Sequence, residues 1–182
     1  KKLFFSVMCF SAAVSFAEGD VKIGGYDKTY KAHMYYEGAD VAQNYKESLT
    51  WLKKSAEQGD AYAQYKLGSM YYGGEGVAQN YKEAFKWTKK SAEQGDAEAQ
   101  LMLGVMYYKG WGVAQNNKET LKWYKKSAEQ GNAMAQFVLG LTYYNGNGVE
   151  QNNKEAFKWF KKAAKQGNEE ARKIMDEYNL KY

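Results

Sequence analysis

Residues 60–95, DAYAQYKLGSMYYGGEGVAQNYKEAFKWTKKSAEQG, return with few changes at 96–131 and again at 132–167. Trp51, Trp87, Trp123 and Trp159 stand 36 residues apart, as do Gly59, Gly95, Gly131 and Gly167, and Gly38, Gly74, Gly110 and Gly146. With Gly68, Gly104 and Gly140 and with Gly76, Gly112 and Gly148, fourteen of the eighteen glycines fall on one period. A period of that length, carried by tryptophan and glycine alike, marks a stacked array of small units rather than one irregular domain.

Each unit reads as two helices. In 60–72, Ala63, Leu67, Met70 and Tyr71 form a stripe at helical spacing. Asp60 suits an N-cap, and Gly59 suits the left-handed stop of the helix before it. A glycine-rich loop follows (GGEGVAQ, KGWGVAQ, NGNGVEQ). The second helix then opens on an asparagine with a glutamate three later: Asn44/Glu47, Asn80/Glu83, Asn116/Glu119 and Asn152/Glu155. That is the spacing of a capping box. Ala84/Phe85, Trp87/Thr88 and Ser91/Ala92 form its buried band. Gly68, Gly104 and Gly140 sit inside the first helix, where glycine costs about 1 kcal/mol against alanine. Close approach of the partner helix is the expected compensation. The reading is all-α, with helix pairs at 25–58, 60–94, 96–130 and 132–166 and a polar capping helix at 168–178.

Residues 1–17 read differently. Lys1 and Lys2 precede a stretch from 3 to 17 with no charge, and Ser15 and Ala17 place small residues at −3 and −1 of a cut before Glu18. This is the layout of a secretory signal peptide, too short for the ~20 residues of a spanning helix. The expected mature array is 18–182, periplasmic or secreted, without stable membrane insertion. It would carry no cysteine, because Cys9 lies in the leader.

The 182 residues hold one histidine, His33, one cysteine and no proline. A zinc hydrolase needs several His, Cys or carboxylate ligands around one ion, and a single histidine cannot supply the imidazoles. No serine has lysine three residues later and K-T-G is missing, so the serine β-lactamase signature is not there. No cofactor and no catalytic residue is expected. Fifteen lysines cluster on the second helices. They are interleaved with glutamate, and the formal net charge is +5, or +3 without Lys1 and Lys2. That is too mild for a dedicated nucleic-acid binder.

The string AxAQxxLGxMYYxGxGVxQNxKEAxKWxKKSAEQG resembles the Sel-1-like repeat (SLR) family, a relative of tetratricopeptide repeats, over residues 30–167. The resemblance implies a right-handed α/α superhelical solenoid of 36-residue helix-turn-helix repeats, acting as a non-enzymatic scaffold that binds a protein or peptide in a concave groove. A cysteine-rich branch of the family is linked to penicillin binding and β-lactamase activity, but no position of the repeat grid holds cysteine here. A β-lactamase-like enzyme and a periplasmic immunity protein against a toxic effector are the alternative functions.

Positions 61, 63, 64, 67, 68, 71 and 72 repeat unchanged, whereas 62, 65, 66, 69 and 73 do not. The varying five share one helical face. Residues that stack repeats must stay the same from unit to unit, and residues that meet a partner need not. The candidate partner-binding residues are therefore Tyr62, Tyr65, Glu98, Leu101, Val105, Met134, Phe137 and Leu141. Trp111, the one tryptophan off the grid, joins them from a loop. The competing role for the apolar ones is filling between repeats. If the grid tryptophans are core, Trp87→Ala costs about 3–5 kcal/mol in urea unfolding and Trp111→Ala clearly less; equal unfolding of Trp87→Ala and the parent would contradict the assignment.

Overall fold

The computed structural model describes residues 33, 35–38 and 44–181. The expected leader at 1–17 and most of the first expected helix from 25 lie outside the described residues. Eight helices follow with full bounds: α1 (Tyr45–Glu57), α2 (Ala61–Gly73), α3 (Tyr81–Glu93), α4 (Ala97–Lys109), α5 (Asn117–Glu129), α6 (Ala133–Asn145), α7 (Asn153–Lys165) and α8 (Glu169–Glu177). No strand occurs among the described residues. The chain is an all-helical solenoid in which each of these helices packs on its chain neighbours.

Every boundary has a chemical cause. Asp60 and Asp96 accept from the Ala63 and Ala99 amides at 2.6 and 2.7 Å, and Asn132 and Asn168 do the same for α6 and α8. These bonds satisfy amides that the first helical turn leaves without a partner. Asn44, Asn80, Asn116 and Asn152 cap the second helices in the same way. The glutamates of the expected capping box turn forward instead. Glu47 accepts from the Trp51 indole at 3.1 Å, and Glu119 accepts from Trp123 at 3.0 Å and from Lys122 at 2.9 Å. The Lys122 bond leads the effects that hold the Glu119 carboxyl below its ordinary range.

Within a repeat the two helices meet at the interior glycines. A methyl group built on Gly68 would lie 2.5 Å from Thr88 Oγ1 and 3.2 Å from the Ala84 carbonyl oxygen. The matching partner of Gly104 is the Tyr124 ring, and that of Gly140 is the fully buried Phe160 ring. Close approach was the expected compensation for these glycines, and the structure has it. The residue after each grid tryptophan fills the space, not the tryptophan itself.

Between repeats the register is held by a relay of glutamines. Gln64 Nε2 donates to the Ala56 carbonyl at 3.0 Å, and Gln94 Nε2 donates to Gln64 Oε1 at 2.8 Å and to the Gly59 carbonyl at 2.9 Å. One period later Gln100 donates to Ala92, and Gln130 to Gln100 and Gly95, at 3.1, 2.8 and 2.9 Å. Gln136 then donates to the Ala128 carbonyl at 3.1 Å and Gln166 to Gln136 at 2.8 Å. At the next grid position Arg172 Nε donates to the Ala164 carbonyl at 3.0 Å. A guanidinium donates as glutamine does but accepts nothing, so the relay has no acceptor at α8.

Gln64, Gln100 and Gln136 are buried, so these bonds form away from water. Losing one leaves a buried polar group short of a partner at about 1–3 kcal/mol. Gln100→Leu is therefore expected to destabilise by about 1–3 kcal/mol in urea unfolding, whereas Glu150→Gln, at an exposed loop position, stays within about 0.5 kcal/mol of the parent. Equal losses at both sites would contradict the relay.

Candidate functional site

A groove of about 260 Å³ runs between α2 and α4, the first helices of two consecutive repeats. Tyr65, Ser69 and Tyr72 form one wall at i, i+4 and i+7. Glu98, Leu101, Met102, Val105 and Met106 form the other. Both sets lie on single helical faces, because the repeat sets first helices side by side with the same rotation.

The opening has a sequence cause. The residues equivalent to Ser69 one and two periods on are Val105 and Leu141. Serine is the smallest of the three, and it leaves the space that a branched side chain would fill. Met102 supplies a soft, unbranched lining that adapts to what enters, with the fully buried Met106 at its base.

Tyr65, Glu98, Leu101 and Val105, four of the nine candidate residues, meet in this groove. Tyr65 is half-buried and also packs on the cluster of Ala99, Leu103 and Trp123. Burial, then the Glu98 carboxylate, pushes its phenol above the ordinary range. Leu101 and Val105 pack in part on Tyr124 and Leu139. These side chains thus line the groove with one edge and stack repeats with the other.

Trp111 stands at the loop end of the groove. Its ring stacks on Tyr81 at 5.6 Å and 10°, and lies 5.3 Å from Tyr72, itself part of the wall. The equivalent position one period earlier is Glu75, which accepts a 2.7 Å hydrogen bond from Tyr36. Burial and this carboxylate push the Tyr36 phenol up.

The remaining candidates lie elsewhere. Tyr62 sits near the start of the described chain, where the Lys66 ammonium lies 5.5 Å from its ring centroid and 4.9 Å from that of Tyr36. Met134 is 52% exposed at the start of α6. Phe137 and Leu141 pack on the cluster of Phe160, Ala164 and Met175 against α8, with the Phe137 and Phe160 centroids 5.9 Å apart. Tyr65 and Leu101 therefore share one groove, and Phe137 belongs to the last helix junction.

Ser69 and Met102 fall on the variable face; Met102 is one of the apolar residues whose competing sequence role is filling between repeats, and both line the groove. Sequence reasoning passed over Tyr72 because that tyrosine repeats unchanged, so variability carried no signal for it. Among the described residues no group of three or more His, Cys, Asp or Glu is placed to hold a metal ion. No helix there is long and apolar enough to cross a membrane.

Two solved structures share fold and sequence over most of the chain. A protective antigen of uropathogenic Escherichia coli displaying an SLR fold is 38% identical with a TM-score of 0.75, covering 79% of this chain and 31% of its own. A Sel1 repeat protein from Oxalobacter formigenes is 34% identical with a TM-score of 0.77, covering 81% and 60%. This chain thus spans about a third and three-fifths of their lengths. Helicobacter pylori cysteine rich protein B is 26% identical with a TM-score of 0.58, covering 75% of this chain and 98% of its own. No curated protein matches.

The Sel1 repeat model matches residues 32–60, 61–96, 97–132 and 133–168, most of the chain and on the same period as its glycines and tryptophans. The chain belongs to the Sel1 repeat family, whose members are generally non-enzymatic scaffolds for protein interaction.

Proposed function

We propose that this chain is an exported binding module that holds an apolar segment of a protein or peptide partner in the groove between α2 and α4. The observation that carries the reading is the convergence of Tyr65, Leu101, Val105 and Met102 on one open, elongated groove with an aromatic end at Tyr72. Apolar side chains entering such a groove lose water on both walls, and a few aromatic anchors carry much of an interface's energy. Glu98 at the rim accepts from Asn132 Nδ2 at 2.6 Å and offers its remaining lone pairs to a donor on the partner. Export rests on the leader pattern of residues 1–17.

Filling the groove without removing any stacking contact tests the proposal. Peptides selected by display on the protein are measured by fluorescence anisotropy against the parent and Ser69→Trp. Ser69→Trp is expected to weaken binding at least about tenfold, ~1.4 kcal/mol, with helical circular dichroism and melting midpoint unchanged. Equal affinity for a variant that melts like the parent would contradict the groove as the binding site.

A further inference from the structure

The second helices carry charge that neither the stacking nor the groove uses. With Lys165 at the end of α7 added to the fifteen, lysines number three, four, four and five on α1, α3, α5 and α7, sixteen in all, against two, two, two and one glutamates, a net charge of +9. The whole chain is only +5. On α2, α4 and α6 together there are two lysines and one glutamate. Positive charge is thus segregated onto one set of helices.

The lysines stand in rows that cross the repeats. Lys82, Lys118 and Lys154 share one grid position, and Lys54, Lys90, Lys126 and Lys162 another; all are exposed. In the second row each ammonium lies over the tryptophan of its own helix, 4.8, 4.5, 4.7 and 4.2 Å from the nearest ring centroid. A cation held on a buried ring keeps its stem ordered and its charge at the surface. The four heads therefore repeat in register from unit to unit.

Five of the seven glutamates of these helices are spent on other lysines, and Glu47 accepts from the Trp51 indole. Glu83, Glu119 and Glu155 pair with Lys86, Lys122 and Lys158, and Glu93 and Glu129 with Lys89 and Lys125. None of the ion pairs among the described residues takes Lys82, Lys118 or Lys154, or Lys90, Lys126 or Lys162. Among the described residues both rows thus stand outside the direct ion pairs, with the Lys118 charge acting on Glu119 only at longer range.

We infer that this lysine face docks peripherally on an anionic lipid surface, leaving the groove between the first helices free for its partner. The residue type points to lipid over nucleic acid. Arg172 on α8 is the only arginine among the 26 basic residues. Lysine is a compact, hydrated point charge attracted to a negative plane without geometric demand, whereas phosphate and base-edge recognition favours the arginine fork. The spread of the rows over four successive equivalent helices also matches a plane of headgroups better than a duplex groove.

Vesicle flotation of the full chain tests this at about 0.05 M salt, where charges act over more than ~10 Å. One set of vesicles is neutral phosphatidylcholine, and the other contains about 30 mol % phosphatidylglycerol. The apolar stretch 3–17 contributes to both, so the readout is the ratio between them. Binding at least about tenfold tighter to the anionic set, lost near 0.5 M salt, is expected. The triple variant Lys82→Glu, Lys118→Glu, Lys154→Glu places carboxylates in the first helical turn, where the helix dipole favours them. It is expected to keep the parent melting midpoint and lose the anionic preference, while Ser69→Trp keeps it. Equal binding to both vesicle types, an unchanged preference in a folded triple variant, or tighter binding to a short DNA duplex than to anionic vesicles at equal salt would each overturn the inference.

Discussion

The contact of a helix-interior glycine with the helix that follows it is the constraint on which the array depends. At Gly68, Gly104 and Gly140 the first helix has no Cβ, and Thr88, Tyr124 and Phe160 occupy the place where one would be. Glycine weakens the helix locally, and that loss is offset by the side chain it lets in from the second helix. The resulting pair has a fixed separation and rotation. Because the pair repeats, the glutamine at position four of each first helix always falls beneath the last turn of the preceding second helix. The relay through Gln64, Gln100 and Gln136 follows from that placement. Pair geometry comes first, register second, and the groove between first helices is what the register leaves.

The same stacking divides the surface in two. First helices hold the near-neutral, variable residues, including those of the groove at Ser69 and Leu101. Second helices hold the four grid tryptophans, each with a lysine over its ring and, at Trp51 and Trp123, a glutamate accepting from the indole. Trp123 shows the arrangement: Glu119 accepts from its indole, and Lys122 and Lys126 lie 5.1 and 4.7 Å from the nearest ring centroid. A tryptophan only 4% exposed thus keeps its one polar atom paired while its ring faces are covered by packing and lysine stems. In a quasi-one-dimensional array each unit depends on its neighbours, so a partner of the kind proposed for the groove between α2 and α4 would bridge two repeats. Occupancy would tie together the junction that Ser69 leaves open.

Much of this was legible in the sequence. The period, the capping Asp and Asn residues, the left-handed glycines and the reason for Gly68, Gly104 and Gly140 all come from local chemistry repeated in register. The glutamine relay was not, although Gln64 and Gln94 repeat plainly, because a repeated glutamine does not state its partner. Nor was the division between groove and stacking. Tyr65, Leu101 and Phe137 occupy one grid position, yet Tyr65 and Leu101 line a groove while Phe137 closes on Phe160. The difference lies in the neighbours: Ser69 is small beside Tyr65, whereas Phe137 meets a buried phenylalanine ring. Variability along a face marks where packing is free to change without saying whether the freedom becomes an opening or a different filling.

Urea unfolding of Gly140→Ala beside Gly73→Ala tests the close approach most directly. Gly140 lies inside its first helix, where intrinsic propensity favours alanine by about 1 kcal/mol, and Gly73 is the last residue of its helix, where the same preference is smaller. A methyl on Gly140 would sit 2.6 Å from the Phe160 ring and 3.2 Å from the Ala156 carbonyl oxygen, whereas on Gly73 it meets only the Glu75 side chain at the ordinary contact distance of 3.5 Å. Overpacking of that kind costs about 1–3 kcal/mol. Gly140→Ala is expected to be less stable than the parent, with Gly73→Ala equal to it or slightly more stable. If Gly140→Ala gains stability as Gly73→Ala does, the glycine contact does not set the geometry of the array.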